Sequence, residues 1–236
     1  MALLAGRIQH TLISNCVTRA AWEQHVEACL RYGFQAAMVP AAWVKATVEA
    51  LRGSGVRTAS WIDLPFGSAT SAGKAYEARQ LVDAGAEEID LMPNVGFLVS
   101  GMEREYFDDI RGVVAAAPGR PVKVIMEMPL LSADQLSRAV ALAADAGAAY
   151  VKNLSGGAAG AATPEQVQRL RELTPVHLQV KASGGIRTAR QVQDLLAAGA
   201  ALVGTSRGVE IVKELQEASE TTHEATPRHL GVPGAY

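Results

Sequence analysis

Two short, mostly apolar runs end in lysine: Ala149-Tyr150-Val151-Lys152-Asn153 and Leu178-Gln179-Val180-Lys181-Ala182. Each then breaks into glycine and small polar residues. A strand buried on both faces reads as a continuous apolar run, so a cation there needs a partner or a job. Neighbouring strands lie about 4.8 Å apart. Two inward lysines at matching heights repel, and one ammonium gives up its proton more readily. A neutral amine attacks a carbonyl and forms a Schiff base. Lys152 is read as that nucleophile, and Lys181 as the neighbouring cation that activates it. Asp90, in Ile89-Asp90-Leu91-Met92, can shuttle protons as an imine becomes an enamine. The ordinary alternative is a buried lysine–carboxylate network that only closes the fold. Two lysines and an aspartate at three strand ends weigh against it.

Two glycine-rich segments stand further on, Ser183-Gly184-Gly185-Ile186-Arg187-Thr188 and Gly204-Thr205-Ser206-Arg207-Gly208. Glycine lets the backbone approach an anion, Ser206 adds a hydroxyl donor, and Arg187 or Arg207 adds charge, which together suit a phosphate. The second segment also matches the hydrolase elbow G-x-S-x-G, but only His223 and His229 follow it, both in the expected tail. The five histidines form no H-x-H or H-E-x-x-H pair, so no zinc site is expected. Imine chemistry requires no cofactor. Gly156 to Gly160 lacks the lysine of a nucleotide loop and reads as a flexible turn. Trp22, Trp43 and Trp61 read as core or helix-packing residues, and His10 as a hydrogen-bonded core histidine.

The elements that must position these groups alternate. Strands are expected at about 7–11, 34–39, 58–62, 87–92, 122–127, 149–153, 177–181 and 201–204. Helices fill the gaps at about 18–32, 41–53, 70–84, 102–117, 132–146, 163–173, 188–198 and 206–217. Ser132 and Thr163-Pro164 read as helix starts. Gly85, Gly147 and Gly199 read as helix ends within a weak Ala-Gly-Ala repeat. Lys123 and Glu127 share a parity and should point to one side. Eight strand–helix units imply an α/β fold, a parallel (β/α)8 TIM barrel in one domain, residues 1–217. Residues 218–236 read as an irregular tail, with Pro227, Gly231, Pro233 and Gly234 set against a long helix. No G-x-G-x-x-G follows an early strand, which disfavours an open dinucleotide-binding sheet.

The 236 residues suit one large domain, and 49% apolar residues suffice for its core. With 22 basic and 24 acidic residues, bulk charge gives no case for nucleic acid or membrane. Cys16 and Cys29 make no disulfide framework, so a cytoplasmic setting is expected. No run approaches a membrane span, and the opening Met1-Ala-Leu-Leu-Ala5 is too short for a signal-peptide core.

These residues resemble the deoxyribose-phosphate aldolases, class I enzymes of the (β/α)8 type. Val180-Lys181-Ala182-Ser183-Gly184-Gly185-Ile186-Arg187-Thr188 is similar to that family's second-lysine motif. Glu88-Ile89-Asp90 resembles its acidic strand, and Lys123 to Glu127 and Gly204-Thr205-Ser206 also match. Tyr150-Val151-Lys152 aligns with its Schiff-base lysine. The resemblance implies imine formation by Lys152, activation by Lys181 and proton transfer by Asp90. It implies substrate and phosphate binding by Ser155, Gly156, Gly184, Gly185, Gly204 and Ser206. A C-terminal tyrosine covers the site in some members, which puts Tyr236 in that role. The implied reaction is reversible cleavage of 2-deoxyribose 5-phosphate to acetaldehyde and glyceraldehyde 3-phosphate. The implied partners are small aldehydes and sugar phosphates, and barrels of this kind often pair as homodimers.

The chain departs from the family at several places. Asn153-Leu154-Ser155-Gly156 stands for the usual Thr-Ser-Thr-Gly, and Gln9-His10-Thr11 for Asp-His-Thr. Met38 stands where cysteine is common. Losing the first-strand carboxylate should leave Lys181 less well paired and more easily deprotonated. Asn153 and Leu154 are expected to change the pocket. They raise a second reading, a Schiff-base lyase for another aldehyde or keto-phosphate. A third reading is a sugar-phosphate binding paralogue without turnover.

Overall fold

The structure, a computed structural model, describes residues 2–224. Eight parallel strands close into a barrel in sequence order: β1 Ile8–Thr11, β2 Ala36–Met38, β3 Arg57–Ile62, β4 Glu88–Leu91, β5 Val122–Ile125, β6 Tyr150–Lys152, β7 Gln179–Ser183 and β8 Leu202–Thr205. β8 pairs with β1, so no sheet edge is left open. The helices are α1 Ala2–Ala5, α2 Arg19–Tyr32, α3 Val44–Ala50, α4 Ser71–Asp83, α5 Val95–Val99, α6 Glu103–Ala116, α7 Ala133–Asp145, α8 Pro164–Leu173, α9 Ala189–Ala197 and α10 Gly208–Glu224. None of the described helices is long and apolar enough to cross a membrane.

Local chemistry sets the helix ends. Ser132, Thr163 and Thr188 each accept a bond from the backbone N–H three residues on, and Gln135, Gln166 and Gln191 return it. Pro164 opens α8, where a missing N–H costs nothing. Gly85, Gly147 and Gly199 turn the chain from helix to strand at φ of 96°, 90° and 109°, a region other residues avoid.

Strand residues alternate between two environments. Outward residues such as Ile89, Leu91, Val122, Val124, Val151, Val180 and Val203 form the apolar layer beneath the helices. The opposite parity fills the barrel with Gln9, Glu88, Asp90, Lys123, Lys152 and Lys181, all buried. The lysines therefore sit in an alternating pattern and not at the end of doubly buried apolar runs.

Three expectations need correction. Glu127 does not continue β5: the strand ends at Ile125, and Glu127 adopts a left-handed conformation at φ 48°. Its carboxylate turns back to accept from the Ser155 N–H at 3.2 Å, so it does not share the direction of Lys123. The last helix is longer than expected. Residues 218–224 continue α10, because the prolines and glycines that would stop it begin only at Pro227. Helix α5 was not foreseen; Asn94 caps it by accepting from the Phe97 N–H, in a stretch with only five helical residues. Residues 225–236, Tyr236 among them, lie outside the described residues.

Candidate active site

A cavity of about 320 Å³ opens where the strands end. Lys152 and Lys181 are paired across β6 and β7, and both side chains enter the barrel. Their Nζ atoms bond the same oxygen, Oδ2 of Asp90, at 2.9 and 2.6 Å. Lys123 approaches from β5, 2.7 Å from Glu88 Oε2 and 3.4 Å from Asp90 Oδ1, as an ion pair outside hydrogen-bonding angles. The Lys152 side chain keeps 6% exposure while Lys181 has none. The amine that a ligand in the cavity can reach is therefore Lys152.

The charges respond to this crowding. Burial, opposed by Asp90 and aided by Lys152 and Lys123, brings Lys181 down from 10.5 to about 7. Burial alone would raise Asp90, yet Lys152, Lys181 and Lys123 hold it far below the usual carboxylate range. Glu88 is likewise held down to about 2, by Lys123, Arg57 and Gln35 against its own burial.

The two glycine-rich segments meet at the rim. Thr205 donates its hydroxyl to the Ile186 carbonyl at 2.7 Å and accepts from the Arg207 N–H at 3.0 Å, tying the segments together. Ser155, Gly156, Gly184, Gly185, Gly204 and Ser206 all line the cavity, with Arg187 and Arg207 beside them. Gly184 has φ 110°, and a Cβ there would lie 2.8 Å from Leu154 Cδ1 and 2.9 Å from the Gly160 carbonyl. A Cβ on Gly204 would meet Lys181 Cε at 3.0 Å, so that glycine makes room for the lysine. Among the described residues no histidine lines the cavity beside Ser206, and His229 lies outside them.

The opposite wall holds Thr11, Ile13, Met38, Trp61 and Leu64. Trp61, expected in the packing core, faces the cavity instead. Strand parity carried the signal: Trp61 pairs with Asp90 in register and so shares its side of the sheet. The turn from Asp63 to Gly67 that carries Leu64 is tied at both ends to a buried lysine that the sequence reading missed. Lys74 donates to Asp109 at 2.8 Å and to the Gly67 carbonyl at 2.9 Å, while Asp109 also accepts from the Asn94 N–H. Trp22 and Trp43 stack outside the barrel, with ring centroids 5.2 Å apart. His10 is buried against His25 and Phe34, away from the cavity.

No protein-family model matches the chain. Individual relatives do. Over 213 residues the chain is 39% identical to the deoxyribose-phosphate aldolase of Staphylococcus haemolyticus, covering 90% of this chain and 97% of that protein. It is 40% identical over 209 residues to the deoxyribose-phosphate aldolase of Coprothermobacter proteolyticus, covering 89% and 95%. The chain belongs to the deoxyribose-phosphate aldolase family. The enzyme from Aeropyrum pernix, described as a tetramer, superposes with a TM-score of 0.85 at 32% identity, over 92% of each chain.

Deoxyribose-phosphate aldolases are carbon–carbon lyases, and aldolase function is what the family supports for this chain. Two departures from the aldolase pattern, Asn153 and Leu154, fall behind the site, while Met38 and Ser155 line it. Asn153 and Leu154 do not line the cavity, contrary to expectation. Asn153 is fully buried, accepts from the Ser183 N–H at 2.8 Å and donates to Gln166 at 3.0 Å. Leu154 packs beneath Gly184, and its carbonyl accepts from the Ser183 hydroxyl at 2.6 Å. Both brace the loop after β7 from below.

Proposed function

We propose that the chain catalyses reversible retro-aldol cleavage of 2-deoxyribose 5-phosphate to acetaldehyde and glyceraldehyde 3-phosphate, through an imine on Lys152. The observation that carries this reading is the pair of amines on one carboxylate oxygen, at the floor of a cavity rimmed by two glycine-rich turns. As the Lys152 nitrogen attacks the substrate aldehyde, it loses a proton. Asp90 Oδ2 touches both amines and passes that proton to Lys181, which burial leaves neutral above about pH 7. Lys181 acts here as a proton acceptor and not as the cation expected from the sequence. Loss of water from the carbinolamine gives the imine.

The imine then withdraws electrons from the bond between C2 and C3. Removal of the C3 hydroxyl proton breaks that bond, releasing glyceraldehyde 3-phosphate and leaving an enamine on Lys152. Protonation at C2 and hydrolysis by water release acetaldehyde and restore the amine. Gly184, Gly185, Gly204 and Ser206 hold the phosphate on backbone N–H groups and a hydroxyl, with Arg187 and Arg207 adding charge. Ser155 and Gly156 complete the rim. A C-terminal tyrosine closing over the site remains part of the proposal through Tyr236.

The second reading, a different aldehyde or keto-phosphate, rested on Asn153, Leu154 and Gln9. None of the three lines the cavity, so the phosphorylated deoxysugar is favoured. Turnover of 2-deoxyribose 5-phosphate, followed as release of glyceraldehyde 3-phosphate, tests the choice. A kcat/KM no higher than that for unphosphorylated 2-deoxyribose would refute it.

A further inference from the structure

Below the two amines lies a ring of polar side chains that does not line the cavity. Gln9, on β1, is fully buried. Its Nε2 donates to Glu88 Oε2 and to Gln35 Oε1, both at 2.7 Å. Gln35 Nε2 donates in turn to Glu88 Oε1 at 2.7 Å. Arg57 and Lys123 fill the remaining sides of Glu88 at 2.7 Å each. The amide of Gln9 is thereby held in one orientation, since turning it over would set its oxygen against the Glu88 carboxylate. Its Oε1 is left pointing at Lys181 Nζ, 2.5 Å away.

The other groups facing Lys181 are few. Met38 Sδ lies 3.9 Å away on β2, and Asp90 bonds it from β4. Lys123 on β5 and Lys152 on β6 add positive charge. On β8, Gly204 presents no side chain. Asp90 is thus the carboxylate that touches Lys181, and it is shared with Lys152.

We propose that Gln9 is a positioning residue of the amine site: its amide, fixed by Glu88 and Gln35, gives Lys181 a hydrogen-bond acceptor without a second negative charge. A buried donor left unbonded would be costly, and a carboxylate there would hold the ammonium form. An amide does neither. It also places no exchangeable acid between Glu88 and Lys181. The inference rests on the imine reading above, but its test does not require turnover.

The test is a pH titration of ¹³C-labelled lysine side chains by NMR, with the Lys181 resonance assigned by its loss in Lys181→Met. Gln9→Glu is expected to raise the Lys181 midpoint by about one pH unit or more. Gln9→Met, which removes the acceptor at similar size, is expected to lower it. A purely structural role for Gln9 predicts no movement, or movement in the same direction in both variants, and either result overturns the inference. Should Gln9→Glu fail to fold, Gln9→Met decides alone: a lower midpoint supports the inference, and an unchanged or higher one overturns it. Failure of the imine reading shows separately, as absence of a borohydride-trapped adduct in the unmodified protein.

Discussion

Lys152 and Lys181 face each other in the β6–β7 register and bond one oxygen, Asp90 Oδ2. Three buried cations, Lys123, Lys152 and Lys181, meet two carboxylates, Glu88 and Asp90, inside the barrel, and the exposed Arg57 reaches Glu88 from outside. A cluster with that imbalance is poorly suited to stabilising the fold. It is well suited to keeping one amine without its proton.

Stability and activity should therefore separate. Lys152→Met is expected to abolish cleavage while leaving Tm unchanged or raised, since it removes one of two cations from a shared anion. Asp90→Ala strands the buried lysines and should cost about 3–5 kcal/mol. Urea unfolding beside turnover checks both. A loss of stability in Lys152→Met equal to that in Asp90→Ala would mean the pair is structural.

The pH profile follows from Lys181. Protonated below about 7, it cannot take the Lys152 proton; neutral above, it can. The value of kcat/KM should rise about tenfold per pH unit below 7 and level off above it. The same group gives a stability sign. The unfolded chain holds this proton up to 10.5 and the folded chain only to about 7, so the unfolded state binds more protons between those limits. Stability from this group rises with pH across that window.

Acid lability should come from outside the site. Burial lowers His10 to about 4 and His25 to about 3, each from 6.5. Both must charge on unfolding in acid, so stability falls as pH drops below 6.5, by about 1.4 kcal/mol per histidine per pH unit. The loss continues to about 4 for His10 and about 3 for His25. Comparing Tm at pH 7 and pH 5 in His25→Asn and the unmodified protein should show a smaller drop in the variant.

Gly184→Ala places a methyl group against Leu154 and the Gly160 carbonyl at a left-handed φ. KM for the phosphorylated substrate should rise at least about tenfold, a cost of about 1.4 kcal/mol, with a smaller effect on unphosphorylated 2-deoxyribose. Equal effects on the two substrates would detach this turn from phosphate binding.

The barrel was legible because eight strand–helix alternations and cap residues such as Thr163 and Ser132 are local signals. Lys152, Lys181 and Asp90 were legible as charges at the ends of short strands, although the polar barrel interior they share with Gln9, Glu88 and Lys123 was not. What escaped depended on contacts distant in sequence. Trp61 looks like any core aromatic until its register with Asp90 is known. Asn153 looks like a pocket residue until Gln166 and the Ser183 backbone are seen to occupy it. Lys74 and Asp109 stand on separate helices, and nothing in either helix announces the other.

Borohydride reduction in the presence of acetaldehyde, followed by peptide mass mapping, tests the central claim most directly. The account predicts an ethyl group on the peptide carrying Lys152, formed in the unmodified protein and absent from Lys152→Ala. No adduct, or one that forms equally well in Lys152→Ala, would contradict it.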